Sequence, residues 1–131
     1  MNENEQAAFV EDFLAKHQRD TLGDVANKVL FENERVRIWE MDLAPGTCSD
    51  LHRHDLDYML IILEGDLVAG IPAPGSGGEL QVAQVQNGST FFIPRGGSEW
   101  AVNIGKSRYR EILIELLEES ASPPGALQRA L

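Results

Sequence analysis

His52 and His54 stand one residue apart in LHRHDLDY and are two of only three histidines in the chain. Imidazole is largely neutral near pH 7, and residues two apart in a strand face the same side. Both rings would therefore enter one interior while Arg53 points to solvent. Such a pair suits a metal ion, although the same spacing also occurs in structural and surface pairs. The third histidine, His17, lies beside Lys16 and near Arg19 at the end of a helical pattern, where a partial positive charge suits a helix C-terminus. Cys48 shares the parity of His52, which would bring a thiol near the pocket mouth. No adjacent base or cation marks it as an activated nucleophile, and burial as a small apolar group is the alternative. Asp55 and Asp57 alternate outward relative to His54 in a strict strand.

The elements that must position these residues follow from periodicity. Residues 5–17 place Phe9, Val10, Phe13 and Leu14 at helical spacing opposite Glu11, Asp12 and Lys16, which predicts an amphipathic helix. After Gly23 the period changes. Short runs rich in β-branched and aromatic residues at 27–32, 35–43, 57–63, 66–71, 79–86, 90–94, 100–104 and 109–118 predict strands. The last run also has helix-forming residues, but it ends a strand series and is read as the closing strand. Turn signals rich in Gly, Pro and Asn separate the runs, and PAPGSGG at 72–78 reads as a hairpin loop. Strands without intervening helices imply an all-β antiparallel sandwich or barrel. The expected division is a helical arm over 1–23, a barrel over 24–119 and a tail over 120–131. Trp39, Trp100, Phe91, Phe92 and Met59 read first as core and second as ligand lining.

A chain of 131 residues fits one domain with one core. Its 21 acidic residues against 11 Lys plus Arg give a net charge of −10, which disfavours nucleic acids and anionic membrane surfaces as partners. No apolar stretch approaches the roughly 20 residues of a membrane span. With one cysteine and an acidic N-terminus, MNENEQAAFVED, a reducing cytoplasm is the expected location.

Gly46, His52, His54 and Gly65, followed by Gly88, Pro94, Gly96 and Asn103, together resemble both halves of the cupin signature. The resemblance implies a double-stranded β-helix, a jelly-roll barrel, with a metal in its mouth. It also implies that Tyr58 stands where the family has a metal-binding Glu and Glu99 where it has a third His. His52, His54 and Glu99 would then supply two nitrogens and one oxygen to iron, manganese, nickel or zinc. Tyr58 is a poor ligand unless deprotonated, and the alternative is an inward phenol that packs on the wall and hydrogen-bonds a ligand. For Glu99 the alternative is a solvated carboxylate paired with Arg95 or Arg53.

ENERVRIWEMDLAPG, LHRHDLDY and LEGD further resemble small single-domain bacterial cupins associated with the degradation of β-alanine and related acids. The function implied is a metal-binding cupin for a small, carboxylate-bearing metabolite, with oxygenase, lyase or isomerase chemistry in which Tyr58 or Glu99 moves a proton. The alternative is a non-catalytic, ligand-binding or accessory cupin with a degraded metal site. A homodimer is expected, because an edge strand and the apolar face of the helix both need cover.

Overall fold

In the computed structural model, which describes residues 1–117, a helix precedes a series of antiparallel strands. The helix α1 (Glu3–His17) begins where Asn2 caps it: the Asn2 side chain accepts from the Glu5 N–H at 2.8 Å, and the Glu5 carboxylate accepts in return from the Asn2 N–H at 3.4 Å. That reciprocal pair satisfies two donors that the first turn leaves free. The buried side of α1 is anchored by Phe13, whose ring meets Trp100 edge-on at a centroid distance of 5.3 Å. His17 stacks on Phe13 and pairs with Asp20 at 2.9 Å, and the same carboxylate accepts from the Trp100 indole. His17 thus stays at the helix end. The helix face that was expected to need a partner molecule is partly covered within the chain: Phe13 is buried, and Phe9, Val10 and Leu14 pack half-buried against the same cluster.

The strands are β1 (Lys28–Glu32), β2 (Val36–Leu43), β3 (His52–Arg53), β4 (Tyr58–Glu64), β5 (Leu67–Pro72), β6 (Gln81–Gln84), β7 (Thr90–Ile93), β8 (Ser98–Asn103) and β9 (Tyr109–Leu116). They form a sheet of order β1-β2-β9-β4-β7 and a sheet of order β3-β8-β5-β6. The fold is the expected all-β jelly roll with a short N-terminal helix. Eight of the strands match the predicted runs to within two residues at each end, including β9 as the closing strand. The added one, β3, has two residues and is too short to show a period. The expected tail at 120–131 lies outside the described residues.

Parity in β9 decides what the barrel contains. Tyr109, Glu111, Leu113 and Glu115 are buried, while the alternating Arg110, Ile112, Ile114 and Leu116 remain partly exposed. Tyr109 and Leu113 join the interior clusters with Met41, Leu43 and Ile62, and with Val25 and Tyr58. Glu115 is acceptable there because the Trp39 indole donates to it at 2.6 Å and the Arg37 guanidinium lies at 3.5 Å.

The isoleucines consequently line the outer face. Across all five strands the register aligns Phe31, Ile38, Ile114, Met59 and Phe92 in one apolar row. No helix covers this row among the described residues. The reading of Phe91 and Phe92 as core is corrected: Phe92 is 58% exposed and Phe91 39%. Both lie on β7, an edge strand, where only one neighbour can screen a side chain. Trp100, by contrast, is core as expected.

Asn103 ties the end of β8 to its surroundings. Fully buried, it donates to the Leu43 and Ser107 carbonyls, both at 2.9 Å, and accepts from the Gly105 N–H at 3.0 Å. Removing the amide strands those backbone groups, each at a cost of about 1–3 kcal/mol. Asn103→Ala is expected to lower unfolding stability by roughly 2–4 kcal/mol in a urea titration, whereas an exposed substitution such as Glu79→Ala should change it by less than about 0.5 kcal/mol.

Candidate metal centre

The register of two short strands sets the site. β3 pairs with β8 so that His52 lies opposite Glu99 and Arg53 opposite Ser98. Alternation turns His52 inward, where it is 2% exposed, and leaves Arg53 outside with Asp55 at 2.8 Å. His54 continues the ladder past the strand end, since its N–H donates to the Gly97 carbonyl at 3.2 Å and its carbonyl accepts from the Gly96 N–H at 2.9 Å. Gly96 and Gly97 have φ of +113° and +83° respectively, a left-handed geometry that side-chain-bearing residues adopt at a cost. The two imidazoles end buried, 4.7 Å apart and nearly perpendicular. One ligand atom from each of His52, His54 and Glu99 lies within 4.8 Å of the others. Glycine across the sheet leaves room for this carboxylate as it stands, because a Cβ on Gly70 would sit 2.5 Å from Glu99 Oε2 and displace the side chain's tip.

Each ring is held by a different force. His52 Nδ1 lies 2.8 Å from the Asp50 carbonyl, which can only accept, so this nitrogen carries the proton and Nε2 keeps its lone pair. His54 is fixed instead by stacking on Tyr58, with centroids 3.9 Å apart and planes 14° from parallel. Its Nδ1 is buried without a hydrogen-bond partner among the described residues, and its Nε2 faces Glu99 Oε1 at 3.9 Å. Burial pushes the pKa of both histidines down, that of His54 to about 3 with help from neighbouring His52. They are neutral lone-pair donors at ordinary pH. Burial also raises Glu99, to about 7, and because His54 is neutral no ion pair forms between them even when Glu99 is ionised. The donor set of two neutral imidazoles and one carboxylate without a cationic partner fits a divalent transition metal.

The arginines offered as partners for Glu99 are engaged elsewhere: Arg53 with Asp55 and Arg95 with Asp57. Both aspartates are thus outward, as their parity implied. Tyr58 is buried, and burial together with Glu99 and Glu111 raises its pKa, so its phenol stays protonated. It stacks on His54 and lines the same pocket as His52, His54 and Glu99. Cys48 packs beside Val102 in the cluster under α1, away from the histidines, where burial raises its thiol pKa.

A pocket of about 50 Å³ adjoins His52 and His54, and a cavity of about 330 Å³ lies beyond it. Tyr58, Leu60, Glu99, Ala101 and Glu111 line both. A larger cavity, about 530 Å³ between α1 and the four-stranded sheet, touches neither His52 nor His54. Glu111, Tyr109 and Gly70 are additions to the residues singled out by sequence. For Glu111 the available signal was its shared parity with Tyr109 and Leu113 in β9; for Gly70 there was none.

An antiparallel jelly roll carrying two buried histidines and a carboxylate on facing strands defines a barrel protein with a candidate metal centre. The chain belongs to the cupin family, whose profile matches residues 24–114. Among curated proteins it is 36% identical over 74 residues to oxalate oxidase GF-2.8 of Triticum aestivum, covering 55% of this chain and 33% of that protein. It is 26% identical over 93 residues to auxin-binding protein T85 of Nicotiana tabacum, covering 69% and 50%. The chain thus spans between a third and a half of these relatives. Among solved structures, a cupin domain from Bordetella pertussis aligns with a TM-score of 0.62 at 21% identity, covering 75% of this chain and 98% of that one. Oxalate oxidase in complex with the substrate analogue glycolate aligns with a TM-score of 0.52 at 25% identity, covering 72% and 54%. These curated relatives are plant proteins, so they support the superfamily and leave the narrower bacterial resemblance without support.

Burial also raises the Glu111 pKa, to about 7 from an ordinary 4.5, with a contribution from Glu99 and against the Tyr109 hydrogen bond. A carboxyl raised in the folded state favours folding only while protonated, so its contribution falls as pH climbs from about 4.5 to about 7. At about 1.4 kcal/mol per unit, the metal-free stability difference between Glu111→Gln and wild type should move in favour of the variant by on the order of 2 kcal/mol between pH 5 and pH 8. Urea titrations at the two pH values check this, and a difference independent of pH contradicts it.

Proposed function

We propose that this cupin binds one divalent transition metal through His52, His54 and Glu99 and uses the site to bind or transform a small metabolite. The observation that carries the reading is the convergence of three ligand atoms within 4.8 Å, two from neutral imidazoles and one from a carboxylate that no Lys or Arg pairs with among the described residues. When bound, iron, manganese, nickel or zinc would supply Lewis-acid or redox chemistry with positions left for a ligand. Tyr58 would hold its proton at the hydroxyl and offer it to a ligand, and Glu99 would complete the donor set or accept a proton. Oxygenase, lyase and isomerase reactions are within reach of that machinery. A carboxylate-bearing ligand would have to bind through the ion, since no Lys or Arg lines either connected cavity among the described residues.

The second reading, a non-catalytic binding or accessory cupin, is favoured by one observation: Tyr58 and Glu99 replace two of the four ligands that the cupin signature leads one to expect. The relatives' names include both an oxidase and a binding protein. A cytoplasmic setting fits the lone, half-buried Cys48. No helix among the described residues is long and apolar enough to cross a membrane.

Metal content separates the readings. Elemental analysis of purified protein should find near-stoichiometric metal, lost in His52→Ala and His54→Ala. Glu99→Ala is expected to weaken affinity at least tenfold, about 1.4 kcal/mol. Glu99→His should retain or tighten it, and Tyr58→Phe should change it little. If wild type takes up no iron, manganese, nickel or zinc on reconstitution, the metal reading fails. If Glu99→Ala binds normally while Tyr58→Phe does not, the phenol is the third ligand.

The outer face of the five-stranded sheet supports assembly as a homodimer. Its apolar row runs across five strands and ends at Phe92, more than half exposed, so a second copy laid on it would remove that surface from water. Light scattering at micromolar concentration should give about 29 kDa, twice the 14.5 kDa of one chain, and Phe92→Glu should shift it to the single-chain value. A 14.5 kDa wild-type species overturns the dimer.

A further inference from the structure

The three candidate donors leave one buried acid unexplained. Glu111 is 4% exposed, lies across from Met41 on one side and Ile62 on the other, and contributes to the walls of both connected cavities. The Tyr109 hydroxyl donates to its Oε1 at 2.6 Å. Oε2 has no hydrogen-bond partner among the described residues. Neighbouring Arg110 faces outward to Glu40 at 3.6 Å, and Arg37 is engaged by Glu32 and Glu115. Apart from Glu111 itself and Tyr58, Gln81, Glu99 and Tyr109, the wider cavity's wall is apolar, with Ile62, Val68, Val85, Phe91 and Ile93 in it. At about 330 Å³ it falls at the small end of ligand pockets, about 300–1,000 Å³.

We infer that Glu111, oriented by Tyr109, is a ligand-recognition group distinct from the proposed metal donors, and that the cavity selects a small molecule with an apolar body and a hydrogen-bond-donating head, a hydroxyl or an ammonium. A donor head satisfies the open carboxylate oxygen, and the apolar wall takes the body. An anionic head at the same place would meet Glu111 and Glu99 together with no cationic side chain among the described residues to offset them. This names the ligand class for the proposed function and rests on that reading only in treating the cavity as the ligand site.

Three probes that share one ring and one-carbon arm test the inference: benzylamine, benzyl alcohol and benzoate. Binding is measured by calorimetry at pH 8 on the full chain as purified and after EDTA treatment, with metal content determined on the same samples. In EDTA-treated wild type, benzylamine should bind at least tenfold more tightly than benzoate, with benzyl alcohol between them. Glu111→Gln, which preserves shape, should weaken benzylamine at least tenfold and change benzyl alcohol less than threefold. Benzoate binding as tightly as benzylamine, absence of binding by all three, or unchanged benzylamine affinity in a folded Glu111→Gln protein overturns the inference. A protein that takes up no metal but ranks the probes as expected keeps this inference and loses the metal reading. One that takes up metal but prefers benzoate after EDTA treatment does the reverse.

Discussion

Two imidazoles and two carboxylates face one interior, and no lysine or arginine among the described residues lines the space they share. Removing such groups from water penalises their charged forms, so the histidines are held neutral while Glu99 and Glu111 are raised. The interior is therefore short of positive charge by construction. That shortage accounts for the site's proposed affinity for a divalent cation, and for the preference inferred for donor-bearing ligands. The opposite arrangement is seen at Glu115, which has the same parity in β9 yet lies against Trp39 and Arg37 and has no part in the cavity chemistry.

The barrel tolerates this interior because its walls constrain each polar group separately. A backbone carbonyl holds His52, an aromatic ring holds His54, a phenol holds Glu111, and the absence of a side chain at Gly70 leaves room for Glu99. Tyr58 is used differently from the glutamate expected at its position: it contributes a flat face, and burial keeps its hydroxyl protonated. The carboxylate lost from the first motif is matched by one gained in the second. The exchange moves the donor from β4 in one sheet to β8 in the other, where it lies opposite His52 across the β3–β8 pair.

The outer surfaces complete a division of labour between the sheets. The four-stranded sheet is covered by α1 through Phe13 and Trp100, while the five-stranded sheet carries isoleucines on its outside as a consequence of turning glutamates inward. An inward functional acid and an outward apolar row are two sides of one alternation, and changing the register by one residue would exchange them.

Local pattern was enough to establish the helix, eight of the strands and the shared parity of His52 and His54, because these depend on periods of two and 3.6 residues within short segments. The spacing of Gly46, His52, His54, Gly88, Pro94 and Asn103 was enough to mark the family resemblance. The role of Glu111 was not legible, since YREILIEL carries apolar residues at both parities and only packing between β2 and β4 selects which set faces in. Nor was the placement of Glu99: Arg53 and Arg95 were both available as partners, and the cross-strand pairing with His52 together with the competing Asp55 and Asp57 directs it into the barrel. Side-chain direction within an element belongs to the chain's own geometry. Which buried groups meet, and whether a counter-charge meets them, depends on contacts between residues as distant in sequence as His52 and Glu99, and those exist only once the sheets have closed.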